Sequence, residues 1–143
     1  MIPKLSLEEG VEKIFELGKT KEKPVLVSIH GQVNCGKSYI VNLLTNMAFK
    51  KGFVVNGGMC ENKRSYLDIP NPDYVFVEDA IYTAQAENCA REIVGKGIDI
   101  RVLVDNPRLT RGLEHYAPLL LADIRDNKYD VIIDNPDSKD KKC

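Results

Sequence analysis

Apolar positions along the chain follow two rhythms, one helical and one of short continuous runs, and the two alternate. Ser6 and Glu9 have the spacing of a capping box, and Val11, Ile14 and Phe15 recur at helical spacing before Gly18. About the first twenty residues therefore predict an amphipathic helix, closed by the charged stretch Lys19 to Lys23. Pro24-Val25-Leu26-Val27-Ser28-Ile29-His30 is β-branched and mostly apolar, and Gly31 to Gly36 breaks it, as a buried strand entering a loop would. From Lys37 the positions Ile40, Val41, Leu43, Leu44, Met47 and Ala48 are helical again, up to Gly52. Phe53-Val54-Val55 predicts a short strand ending in Asn56-Gly57-Gly58. Met59 to Asp73, polar and carrying Pro70 and Pro72, reads as loop. Tyr74 to Val77 predicts a strand capped by Glu78-Asp79, Ala80 to Gly95 a helix, and Ile98 to Val104 a strand closed by Asp105-Asn106-Pro107. Arg108 to Asp126 reads as helix with a weak point near Pro118, and Tyr129 to Ile133 as a last strand closed by Asp134-Asn135-Pro136.

Five nearly continuous apolar strands alternating with helical segments predict an α/β fold, a parallel sheet with helices on both faces. No linker divides the chain. The expectation is a single nucleotide-binding domain over 1–143, with an N-terminal helix in 1–22 and a solvated tail in 137–143.

Composition narrows the function classes. Lys+Arg (20) nearly balance Asp+Glu (21), which removes the overall cationic field that draws proteins to nucleic acids or anionic membranes, so neither DNA nor a membrane is an expected partner. No apolar run reaches the length of a membrane span, and the opening residues meet Glu8 and Glu9 before any signal core, so a cytoplasmic location is expected. Cys35, Cys60, Cys89 and Cys143 lie far apart with no C-x-x-C pair, and His30 and His115 are the only histidines. Chemistry is thereby directed to carboxylates, lysine and backbone amides.

Gly31-Gln32-Val33-Asn34-Cys35-Gly36-Lys37-Ser38 matches G-x-x-x-x-G-K-[ST], the phosphate-binding P-loop. A chance match arises on the order of once in a few hundred chains of this length. This one also falls between a predicted strand and a predicted helix. Glycines let backbone amides turn toward a phosphate, the helix N-terminus adds its positive end, Lys37 reaches the β/γ-phosphates and the Ser38 hydroxyl ligates Mg²⁺. The whole loop from Gly31 through Tyr39 is the candidate nucleotide-binding segment. Cys35, at the helix N-terminus, has the setting of a thiol with lowered pKa, or is a small filler. A second magnesium anchor is expected at the end of the strand beside the first, at Glu78 or Asp79. Pattern alone leaves the choice open, because strand phase decides which of the two points back. Asp105 and Asp134 read as turn residues.

These segments together resemble the P-loop kinases of the uridine kinase and nucleoside/nucleotide kinase group: VLVSIHGQVNCGKSYIVNLL, YVFVEDAIY, IRVLVDNPRLTRGLE and YDVIIDNP. The resemblance spans about Lys23 to Pro136. It implies a three-layer α/β/α sandwich with strand order 2-3-1-4-5, ATP and Mg²⁺ as phosphoryl donor, and lid arginines clamping the transferred group. Arg108 and Arg111, a helical turn apart, are the candidate clamps. The family's aspartate after the second strand has no clean counterpart, leaving Glu61 or Asp68 to orient the acceptor hydroxyl. Lys63 and Arg64 read as loop charge. The expected activity is transfer of the ATP γ-phosphoryl to a nucleoside or nucleotide. Two alternatives stand beside it, an NTPase or nucleotide-dependent switch acting on a protein partner and a catalytically inactive nucleotide-binding relative. Asn127-Lys128-Tyr129-Asp130 spells a guanine-reading motif, yet it precedes its strand and no D-x-x-G accompanies it.

Overall fold

The computed structural model describes residues 4–31, 37–59, 71–78, 83–105, 122–123, 125–126 and 128–134. In chain order they form β1 (Lys4–Leu5), α1 (Leu7–Gly18), β2 (Val25–His30), α2 (Lys37–Lys50), β3 (Val55–Met59), β4 (Tyr74–Glu78), α3 (Thr83–Ile93), β5 (Ile100–Asp105) and β6 (Val131–Asp134). The strands make one parallel sheet in the order β1-β6-β5-β2-β4-β3.

This order differs from the expected five-stranded 2-3-1-4-5 by one added strand, since β3, β4, β2, β5 and β6 stand in that expected sequence. A sixth strand, β1, pairs with the edge strand β6, Lys4 opposite Ile132 and Leu5 opposite Ile133. It lies where the sequence pattern continued the first helix, which begins only at Leu7. The capping box sets that start: the Glu9 amide donates to Ser6 Oγ and the Ser6 amide to Glu9 Oε1, each at 3.2 Å. Two residues are too few to show a strand period, so β1 had no legible signal. β3 also departs from the expectation, running through Asn56, Gly57 and Gly58 in register with Val75, Phe76 and Val77. Ladder hydrogen bonding overrides the turn preference of Asn-Gly-Gly.

Two apolar layers hold the helices to the sheet. Val11, Ile14 and Phe15 of α1 and Ile40, Val41, Leu44 and Ala48 of α2 share one buried cluster with Val25, Val27, Ile29, Tyr74, Phe76, Ile100, Val102, Val104, Val131 and Ile133. Ala86 and Ala90 of α3 pack with Leu26, Val75, Val77 and Ile98 in a second cluster. Alternate residues of β2 and β4 thus go to opposite clusters, which puts α1 and α2 on one face and α3 on the other. Glu87 ties α3 down, accepting from the Ile98 amide at 3.2 Å and from Arg101 at 2.9 Å.

At the amino edge one device recurs three times. Asp73, Asp99 and Asp130 each stand immediately before a strand, and each carboxylate accepts the backbone amide of a residue at the start of a neighbouring strand: Val54 (2.7 Å), Leu26 (2.9 Å) and Arg101 (2.8 Å). In return, each Asp amide donates to the carbonyl of that same residue. The sheet's entry amides are thereby satisfied by side chains.

Candidate functional site

Parallel strands bring all their carboxyl ends to one edge, and in open α/β sheets ligands bind there. On this edge β2 ends at His30 between two neighbours, β4 ending at Glu78 and β5 ending at Asp105. Ser28 is in register with Val77, and His30 with Leu103. Every residue of β2 is buried, as six consecutive uncharged positions in a central parallel strand require.

The chain leaves β2 through Gly31, which is buried and has φ +152°, backbone that a side chain disfavours. It re-enters described structure at Lys37, the first residue of α2, with Ser38 the second. The first-turn amides of a helix have no intrahelical acceptor and carry the positive end of its dipole. Both ends of the G-x-x-x-x-G-K-S segment therefore stand as the motif requires, a buried strand before and a helix of fourteen residues after. Gln32, Val33, Asn34, Cys35 and Gly36 lie outside the described residues. Tyr39 is half-buried and packs against the core cluster.

Glu78 is the last residue of β4, beside β2, while Asp79 lies outside the described residues. Tyr74 and Phe76 belong to the α1/α2 cluster and Val75 and Val77 to the α3 cluster, so position 78 falls in phase with the face carrying α2. Glu61, Asp68, Arg108 and Arg111, together with Lys63 and Arg64, also lie outside the described residues.

Three groups on this edge had not been singled out for these contacts. Lys4 forms an ion pair with Asp105 at 2.5 Å, spanning β6 from the edge strand. Asp105 is in register with Asp134, whose Oδ1 is buried without a hydrogen-bond partner among the described residues. The Lys4 contact is invisible to local pattern because its partners are distant in sequence. Buried Ser28 and His30 make the third group, with Nε2 of His30 at 2.7 Å from Ser28 Oγ. They did leave a signal, two polar residues in alternation within an apolar strand. Tyr129, buried just before β6, packs its ring on His30 with centroids 5.6 Å apart. Burial holds its phenol far above the ordinary tyrosine range, and the charge of Asp123 adds to the effect.

No helix among the described residues is long and apolar enough to cross a membrane. No protein-family model matches the chain, and no curated protein matches it in sequence. Solved structures do. A possible uridine kinase from Bacillus stearothermophilus is similar at TM-score 0.59 and 12% identity, over 90% of this chain and 99% of that one. The signal recognition particle receptor FtsY from Elizabethkingia anophelis is similar at TM-score 0.57 and 12% identity, over 93% of this chain and 59% of the receptor chain. What the chain shares with both is the fold, a parallel α/β sheet with helices on its two faces.

Proposed function

We propose that the chain is an ATP- and Mg²⁺-dependent phosphotransferase that moves the γ-phosphoryl group to a small acceptor, a nucleoside or nucleotide. The observation that carries this reading is the junction of β2 and α2. A G-x-x-x-x-G-K-S sequence leaves a buried central strand through a positive-φ glycine and opens a long helix, in a fold that matches nearly the whole of a possible uridine kinase.

In this reading residues 31–39 wrap the phosphates with backbone amides, and Lys37 places a point charge against the β/γ oxygens. Ser38 offers a hydroxyl and Glu78 or Asp79 a carboxylate, the hard oxygen donors that magnesium takes. The phase of β4, shared with α2, favours Glu78. Bound Mg²⁺ would supply neutralisation of the phosphate charge. Arg108 and Arg111 clamp the transferred group, and Glu61 or Asp68 orients the acceptor hydroxyl. Positioning and charge neutralisation then account for the catalysis. The reading takes 1–143 as one nucleotide-binding domain acting in the cytoplasm.

The test is Mg²⁺-dependent ADP release from ATP, with and without a mixed pool of nucleosides, nucleotides and sugars, and with Lys37→Ala as control. Release stimulated by the pool and lost in the variant supports a kinase. Release indifferent to the pool supports the second reading, an NTPase or switch acting on a protein partner, which the comparable likeness to the FtsY receptor keeps in view. Nucleotide binding without release supports an inactive relative.

A further inference from the structure

We propose that His30, held by Ser28 and Tyr129, is a positioning residue for the phosphate-binding loop; the proposal rests on the nucleotide-binding reading above. Its backbone leads directly into Gly31, where the chain turns out of the sheet at φ +152°. The direction in which His30 is held therefore sets where the loop's amides begin.

Three observations fix that direction. The alternation of β2 sends Val25, Val27 and Ile29 to the α1/α2 cluster and Leu26 to the α3 cluster. Ser28 and His30 share the phase of Leu26 and are fully buried, two polar side chains on the α3 face of the sheet. Second, the His30 ring is joined to Ser28 two residues earlier on the same strand face, at 2.7 Å. Third, Tyr129, just before β6, reaches His30 although β6 and β2 are not neighbours: β5 stands between them. The Tyr129 hydroxyl is buried and takes no hydrogen bond among the described residues, and its contact with His30 is one of rings, inclined at 56°. A polar pair inside the central strand is thus braced from the far side of the next strand. Apolar residues would fill that space with less cost of desolvation, while a buried hydrogen-bonded pair specifies a single orientation. A phosphate cradle needs its supporting residues locked in this way, since small misplacements of its amides weaken binding steeply.

Binding of Mg·ADP to the full chain, measured by calorimetry alongside thermal melting, separates this role from a merely structural one. His30→Phe keeps the ring and removes both nitrogens, Ser28→Ala removes the hydroxyl, and His30→Gln restores a polar partner. Phe15→Leu is the control. Phe15 packs against Tyr74 and Phe53 at the amino edge of the sheet, whereas His30 ends its strand at the carboxyl edge. His30→Phe and Ser28→Ala are each expected to weaken Mg·ADP about tenfold, the order of one hydrogen bond. The double variant should be no weaker than His30→Phe alone, because both changes break the same contact. His30→Gln should recover most of the affinity, and Phe15→Leu should lose melting temperature without losing affinity. Wild-type affinity in His30→Phe and Ser28→Ala would overturn the proposal, as would an equal loss in Phe15→Leu. If His30→Phe does not fold, Ser28→Ala decides alone. A wild-type chain that binds no Mg·ADP overturns the nucleotide-binding reading itself, and this proposal with it.

Discussion

Lys37 opens α2 at the point where the helix carries its unpaired amides and positive dipole end. Replacing it with alanine removes a charge that a phosphoryl group would meet, while alanine remains an excellent helix former. The expected outcome is a loss of about 100-fold or more in kcat/KM with an unchanged circular dichroism spectrum, the scale set by removal of one transition-state donor elsewhere. Unchanged turnover would take the loop out of the mechanism. Asp73 offers a residue-scale prediction about stability. The hydrogen bond from the Val54 amide, then Lys23 at 3.1 Å, hold its carboxyl below the ordinary 3.8. A carboxyl with a lowered folded pKa adds stability that is complete above its unfolded pKa and disappears as pH falls through the folded one. Asp73→Asn should therefore destabilise by about 1 kcal/mol at pH 7, a figure kept small by solvent screening. The gap to wild type should close as pH drops below about 4, read from urea midpoints across that range. A gap independent of pH would mean that the carboxylate's charge is not what holds the entry to β4.

At the scale of elements, helix α1 shows how context reverses a propensity. An alanine at Gly10 would ordinarily favour the helix by about 1 kcal/mol. Here the added methyl would collide with Cγ1 and Cδ1 of Ile133, a fully buried β-branched residue of β6 with little room to yield. Gly10→Ala should instead destabilise by about 1–3 kcal/mol, as overpacking does, and lower the melting temperature. A rise in melting temperature would show that α1 can lift from the sheet at no cost. That close approach was not legible in the sequence, where Gly10 is only a weak residue inside a periodic segment. The capping box of Ser6 and Glu9 was legible because all its partners lie within one turn. The same distinction runs through the sheet. The four strands of four to six residues at β2, β4, β5 and β6 announce themselves by apolar continuity. By contrast β1 is stabilised by pairing with β6 and by the Lys4 ion pair with Asp105, both made by residues remote in sequence. The carboxylates at the strand entries were equally hidden: Asp73, Asp99 and Asp130 read as ordinary loop residues until their partners on neighbouring strands are known. Of the candidate site, the buried strand before the G-x-x-x-x-G-K-S segment and the helix after it were legible, each from its own apolar pattern. The bracing of His30 by Tyr129 was not, since it crosses a strand.

Across the whole molecule, the site is joined to the stability of the fold. The cluster that packs α2 against the sheet also contains Tyr74 and Phe76 of β4 on one side of the central strand and Val131 and Ile133 of β6 on the other, so both sides are tied to α2. An all-parallel sheet places β2 between β4 and β5, and neither neighbour can leave without exposing the buried face of β2. A ligand held at the junction of β2 and α2 should then stabilise the molecule as a unit, because local opening of that junction disrupts the main core. Linkage gives the size of the effect: a nucleotide at about 100 times its Kd stabilises by about 2.7 kcal/mol. For a chain of 143 residues this is roughly 9 °C in melting temperature, taking the usual unfolding entropy per residue. Mg·ADP should produce a single, shifted transition in wild type and little shift in Lys37→Ala at the same concentration. A shift that survives in the variant would place the nucleotide somewhere other than the P-loop. A transition split by nucleotide into two would mean that the β2–α2 junction unfolds apart from the rest, contrary to the continuous core that surrounds it.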